Sequence, residues 1–233
     1  MPNLLLTYLN EHFGEDSAKS LFPQFQRYAQ LLEAQSKIHN LTAIAPEEYD
    51  EKHFLDSLLL MESYPFQDER IIDVGTGAGF PGLVLAIAFP KLYVTLLEPT
   101  RKRCDFLTIV VEVLKLSNVT IVNERAEDYV KRARETFDLA TSRAVANLSI
   151  ILELSTPLVK KGGSVLVMKG KNFHEELQEA QHAISVLKLE QSTTKIHHLP
   201  TDESMRVNAR FIKKEITNMK YPRAYGQIKK NPL

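Results

Sequence analysis

Ile71-Ile72-Asp73-Val74-Gly75-Thr76-Gly77-Ala78-Gly79-Phe80-Pro81-Gly82 joins a short apolar run to a helix-length apolar segment through closely spaced glycines. A strand that enters such a loop and leaves as a helix brings backbone N–H groups and a helix N-terminus against a ligand, with no Cβ in the way. In open α/β sheets that position, beyond the carboxyl ends of the strands, is where ligands sit. The stretch therefore predicts an α/β fold with a nucleotide-like cofactor on its first loop.

Working outward, the same rhythm repeats. Strands are predicted at 70–74, 93–97, 119–122, 137–141 and 164–168, with helices near 82–89, 101–115, 126–134, 147–158 and 172–187. Such alternation argues for right-handed βαβ units and a mostly parallel, Rossmann-like sheet covered on both faces. Residues 193–199 and 207–216 are strand-like with no helix between them, which predicts an antiparallel hairpin at the sheet's edge. Upstream, Leu21, Phe22, Phe25, Tyr28, Leu31, Leu32 and Ile38 recur at three- and four-residue steps and form one apolar helical stripe. A further helix is expected after Pro46, with Glu47 and Glu48 at the positive end of its dipole, running through Leu60. The chain divides into a helical cap over 1–69, the sheet domain over 70–218 and a basic tail over 219–233, the last dozen residues being read as loose.

Composition bounds the class. At 233 residues, 44% hydrophobic and 25% charged, the chain is ordinary for a globular fold and can bury a full core without staples. The lone Cys104 supplies neither an internal disulfide nor a multi-thiolate zinc site, and it fits a reducing cytoplasm. Met1-Pro2-Asn3-Leu4-Leu5-Leu6 carries no basic leader, and the most apolar stretch, Phe80 to Leu97, is broken by Pro81, Pro90 and Lys91. A soluble, cytoplasmic protein without a membrane partner is expected. Lys and Arg number 29 against 29 Asp and Glu, a zero balance that speaks against a nucleic-acid partner until it is divided by position. Residues 1–70 carry 5 cations and 12 anions, a net of −7, whereas residues 205–233 carry 8 and 1, a net of +7. Such asymmetry suits a basic face able to meet phosphate.

Two cofactor patterns overlap on the glycine loop. Gly77, Gly79 and Gly82 satisfy the dinucleotide fingerprint, while Asp73, Gly75, Gly77 and Gly79 give the acidic-x-Gly-x-Gly-x-Gly of S-adenosylmethionine-dependent methyltransferases. Glu98, at the end of the second strand, would hold ribose hydroxyls in either case. Three features favour the methyl donor. Asp73 suits a ligand with ammonium and sulfonium charges, although a loop-capping carboxylate is its competing reading. Asn123 and Arg125-Ala126-Glu127-Asp128 follow the third strand, where a carboxamide or carboxylate can hold an adenine amino group. The terminal hairpin matches the reversed last strand of the methyltransferase sheet. A nicotinamide-dependent oxidoreductase is the rival enzyme, without a second domain or an obvious hydride-handling set; a non-catalytic RNA-binding module is the third reading.

Phe137 to Asn147 should face the transferred group. It holds neither an Asn/Asp-Pro-Pro-aromatic run for an exocyclic amine nor a Pro-Cys nucleophile for a pyrimidine carbon. Guanine N7 needs neither, because its lone pair is unprotonated and displacement requires alignment more than acid–base help. Arg143 would anchor a phosphate, a base edge or the donor, or else merely bridge helix and strand; Ala144 and Ala146 leave space beside it. Cations recur on the same rim: Arg101-Lys102-Arg103, Lys169 and Lys171, then Arg206 and Arg210. The tail from Met219 to Lys230 interleaves tyrosines with cations, a pattern suited to stacking on bases. Cys104 reads as a small buried residue, and His53, three residues before Asp56, as a packing or hydrogen-bonding one. His197 and His198, adjacent on a strand, point to opposite faces and do not share a metal.

Nearly the whole chain resembles the bacterial small-subunit (16S) rRNA guanine-N7 methyltransferases, the RsmG or GidB family. The likeness is carried by Asn40-Leu41-Thr42, His53 with Asp56-Ser57, Asp73 to Gly82, Lys102-Arg103 with Phe106-Leu107, Arg125-Ala126-Glu127, Ser142-Arg143-Ala144, Met168-Lys169-Gly170 and Tyr221-Pro222-Arg223. It implies a class I S-adenosylmethionine-dependent methyltransferase that methylates one guanine of small-subunit rRNA or of a ribosomal particle, as a monomer and without metal. Donor contacts would fall on Gly75, Phe80, Ala126, Glu127 and Arg143, beside the Asp73, Gly77, Gly79 and Glu98 of the loop reading. Arg143, Lys169 and Arg125 would serve catalysis, and Arg101, Lys102, Lys169, Lys171, Arg206 and Arg223 would meet RNA. Glu98-Pro99 departs from the Asp-Ser of many members, and the longer acid and stiff proline would shift the ribose contact.

Overall fold

The protein is described by a computed structural model covering residues 3–201 and 203–233. Met1 and Pro2, part of the stretch read against a leader, and Asp202 lie outside the described residues.

The cap comprises α1 (Leu4–Phe13), whose first turn is capped by the Asn3 side chain, and α2 (Glu15–His39), followed by tight turns that include α3 (Asp56–Leu58). The expected continuous helix after Pro46 is instead a 3₁₀ turn (Pro46–Glu48), a wide π turn (Asp50–Leu55), α3 and a second 3₁₀ turn (Leu59–Glu62). Widened turns of this kind redirect side chains. Here Glu51, His53 and Asp56 all end up buried against polar partners.

The sheet domain then runs β1 (Arg70–Val74), α4 (Gly82–Ala88), β2 (Tyr93–Leu97), α5 (Arg101–Leu114), β3 (Val119–Val122), α6 (Ala126–Ala133), β4 (Phe137–Arg143), α7 (Leu148–Ser155), β5 (Val159–Lys169), α8 (Phe173–Glu179), α9 (Gln181–Val186), β6 (Leu189–His198) and β7 (Met205–Lys213). The strand order is β3-β2-β1-β4-β5-β7-β6, with β7 antiparallel to both neighbours and the other pairs parallel. The first three strands match their predicted bounds. β4 runs two residues further than predicted, because Ser142 and Arg143 stay paired with Val167 and Met168 of β5.

Alternation along the strands builds two layers. Ile71, Leu139, Leu166 and Met168 pack with α1, α2, α4 and α5 on one face. Ile72, Ala140, Val165 and Val167 pack with α6, α7, α8 and α9 on the other. The cap thus shares a core with the sheet. The loose tail expected from composition is corrected: it folds into α10 (Tyr225–Lys230), with Ile228 fully buried and Tyr221 nearly so. Its apolar residues alternate with the cations and enter the second layer, which charge counting overlooks.

Candidate active site at the carboxyl ends of the strands

The loop after β1 turns through Gly75 and Gly77, both in the left-handed region at φ 71° and 61°. A Cβ on Gly75 would lie 2.7 Å from Val145, so the segment after β4 closes directly over it. A Cβ on Gly77 would meet nothing nearer than the Gly75 carbonyl at 4.0 Å and would project into open space. That space is a cleft of about 860 Å³. Its walls come from the glycine loop (Gly75, Gly77, Phe80), the end of β2 (Glu98, Thr100, Arg103), the end of β4 (Arg143 to Ala146), the end of β5 (Met168 to Gly170), Arg206 of β7, and Thr42, His53 and Asp56 of the cap.

Asp73 is not among them, and the donor contact read for it is corrected. Its carboxylate is wholly buried and accepts from Thr76 Oγ1 at 2.6 Å, Gly82 N at 2.8 Å and Thr141 Oγ1 at 3.3 Å. It pins the loop and the start of α4 to β4. Burial raises its pKa to about 6, against the lowering effect of these hydrogen bonds. Gly79 is corrected for a related reason: its missing Cβ makes room for Tyr28 and Leu83 in the core, not for a ligand.

Glu98 does face the cleft. Its two oxygens accept from Gly77 N at 3.0 Å and Thr100 N at 2.8 Å, so the acid is fixed at the seam between the first two loops. Asn123, read as an adenine partner, instead donates to the Glu98 carbonyl at 2.9 Å. Ala126 is buried in the first turn of α6 and Glu127 follows it there, and neither lines the cleft. Arg125 is exposed and lies over the Tyr225 ring at 5.7 Å, so the catalytic reading is corrected as well: it faces the tail rather than the cleft.

Arg143 and Lys169 line the cleft, each already engaged. Arg143 Nη1 donates to the Lys52 carbonyl at 3.0 Å and to Asp56 Oδ2 at 3.1 Å, Nη2 lies 2.8 Å from His53 Nδ1, and the guanidinium sits 4.8 Å over Phe80. Lys169 Nζ donates to the Ala146 carbonyl and to Glu176 Oε2 at 2.7 Å; Glu176 also accepts from Leu148 N, which ties α7 and α8 to the rim. Arg206 pairs with Asp56 at 3.2 Å.

Of the remaining cations, Arg101, Lys102 and Lys171 are exposed beside the mouth without forming its wall, whereas Arg103 of the same run lines it, 3.7 Å from Glu98. Arg223 is corrected. It is clamped by Glu153, with Nη2 to Oε2 at 2.6 Å and both Nε and the backbone N to Oε1 at 2.9 Å, and so fastens the tail to α7.

Sequence reasoning gave no role in the site to Thr42, Lys52, His53 and Asp56. The only signal was the place of Thr42, His53 and Asp56 in the motifs Asn40-Leu41-Thr42 and His53 with Asp56-Ser57; Lys52, which acts through its backbone carbonyl, had none. Their approach to β4 crosses about ninety residues of chain.

A seven-stranded sheet ordered 3-2-1-4-5-7-6 with a reversed β7, and a glycine-floored cleft at its carboxyl ends, defines the class I S-adenosylmethionine-dependent methyltransferase architecture. Solved structures share it: YcgJ of Bacillus subtilis (TM-score 0.56, 14% identity, 70% of this chain and all of that one) and M. jannaschii TYW2 in complex with AdoMet (TM-score 0.54, 14% identity, 68% and 76%). The family profile of GidB, rRNA small subunit methyltransferase G, matches residues 22–205. Proteins named ribosomal RNA small subunit methyltransferase G are 40% identical in Carboxydothermus hydrogenoformans, over 98% of both chains, and 44% identical in Leuconostoc citreum, over 90% of both. The chain belongs to the rRNA small subunit methyltransferase G family.

Proposed function

We propose that this protein transfers a methyl group from S-adenosylmethionine to N7 of a guanine in small-subunit rRNA. The observation that carries the reading is the cleft itself, floored by Gly75 and Gly77 and rimmed by Arg103, Arg143, Lys169 and Arg206. The open space at the Cβ position of Gly77, beside the fixed Glu98 carboxylate, fits the donor. When bound, S-adenosylmethionine supplies a methyl group activated by its sulfonium charge.

Gly75 and Gly77 admit the donor's backbone-hugging part, and Glu98 turns its remaining lone pairs to the ribose hydroxyls. Arg143 orients the acceptor or the donor carboxylate, and Lys169 and Arg206 meet the phosphate or base edge. No general base is required, because N7 presents its own lone pair; alignment supplies the rate. Lys102, Arg101 and Lys171 extend the cationic surface outward to the RNA backbone. In this reading residues 1–69 act as a cap on the site, 70–218 carry methyl transfer and 219–233 form a basic tail. The protein works as a cytoplasmic monomer without metal. Mass mapping of rRNA from cells lacking the protein tests it: one 7-methylguanosine should vanish from small-subunit rRNA and return on re-expression. Unchanged rRNA methylation would overturn the assignment.

A further inference from the structure

Three groups of the cap converge on one guanidinium of the sheet. The Lys52 carbonyl, the His53 ring and the Asp56 carboxylate lie within one turn of chain and hold Arg143 from above, while Phe80 supports it from below. His53 is itself immobilised. Its ring stacks on Phe80 with centroids 4.1 Å apart and planes 5° apart, and its Nε2 lies 2.9 Å from Thr42 Oγ1, which also accepts from Ile44 N at 3.1 Å.

The chemistry of the partners fixes the protons. A guanidinium has donors only, so the Nδ1 that faces Arg143 must be the unprotonated ring nitrogen. Burial, reinforced by the Arg143 charge, holds the His53 pKa down to about 2, so the ring is neutral and its proton sits on Nε2. Nε2–H then donates to Thr42. The direction runs one way, from Arg143 to His53 to Thr42.

We propose that Thr42 and His53 are positioning residues for Arg143: Thr42 accepts from Nε2–H and so anchors the ring in the tautomer that Arg143 requires, and that ring, with Asp56, sets the plane in which the guanidinium meets its ligand. This rests on the methyl-transfer reading above and extends it, making the cap a part of the reacting site. An arginine offers two edges, and its recognition of a base edge or a carboxylate depends on which edge is left open. With Nη1 committed twice and Nη2 once, the cap decides that choice.

A double-mutant cycle on methyl incorporation into small ribosomal subunits tests the relay. His53→Phe keeps the stack on Phe80 and removes the acceptor, so single-turnover transfer should fall by up to about 100-fold, the effect of a misplaced group. His53→Asn restores an acceptor near the Nδ1 position and should recover most of the loss, and Thr42→Val should lose less than His53→Phe. The decisive comparison is His53→Phe with Arg143→Ala: the double variant should be no slower than Arg143→Ala alone. Losses that multiply, or an Arg143→Ala variant of full activity, would overturn the relay. A readout free of substrate keeps this separate from the proposed reaction: ¹⁵N shifts of His53 in the full-length protein at neutral pH should show a bare Nδ1 and a protonated Nε2. The opposite tautomer would overturn the relay even if rRNA methylation is confirmed.

Discussion

Gly75 and Gly77 share a backbone conformation and differ in surroundings, and this separates stability from binding. Alanine at either position carries a left-handed backbone cost of about 1–2 kcal/mol. At Gly75 the new methyl also strikes Val145, so Gly75→Ala should lower the thermal midpoint more than Gly77→Ala. At Gly77 the methyl stands in the cleft, and calorimetry should find S-adenosylmethionine affinity reduced at least about tenfold. Asp73 yields a prediction in pH. Its folded pKa, about 6, lies above the ordinary 3.8, so the fold holds this proton more tightly than the unfolded chain does. The stabilisation from that proton is complete below the ordinary value and is lost as pH rises through about 6. The melting temperature of the wild type relative to Asp73→Asn should therefore decline across that window and level off above it; a constant difference would refute the buried-carboxyl account. The glycine pattern was legible in sequence. The division of its labour was not, since Asp73 and Gly79 serve the protein's own core and only neighbours distant in sequence reveal that.

The predicted strands and helices survive almost intact because period-2 and period-3.6 apolar patterns are local properties. The failures lie where a segment answers to a distant partner. The π turn at Asp50–Leu55 brings the polar side chains of Glu51 and His53 inward, and the tail folds because α7 offers Glu153. Glu153 is fully buried, so removing its partner leaves a buried charge, a change that typically costs 3–5 kcal/mol. Arg223→Ala should lower the melting temperature and expose the tail to protease. An unchanged midpoint with weakened RNA binding would restore the RNA contact first read for Arg223.

Zero net charge conceals an internal arrangement. Part of the acidic cap faces the terminal hairpin: Asp56 meets Arg206, Glu62 lies 3.8 Å from His197, and Glu51 accepts from Thr201 N at 2.7 Å. Opposite ends of the chain thus help hold the cap over the sheet, and the cations left at the mouth are the ones available to phosphate. RNA affinity should fall with salt, each neutralised phosphate adding a slope of about −0.7 for single strands. Lys102→Ala or Lys171→Ala should each flatten that slope by about the same increment, measured by filter binding across a salt series. A slope unaffected by both would remove them from the interface.

Element type, the glycine loop and the reversed terminal hairpin were determined by the sequence alone, because each depends on residues near one another along the chain. Tertiary structure decided which of those residues line the cleft, which are spent on structure, and that the cap reaches Arg143 through Lys52, His53 and Asp56. The physical reason is the same throughout. A buried charge or hydrogen-bonding group must find a partner, and the fold, rather than the local sequence, determines which one lies within 3 Å.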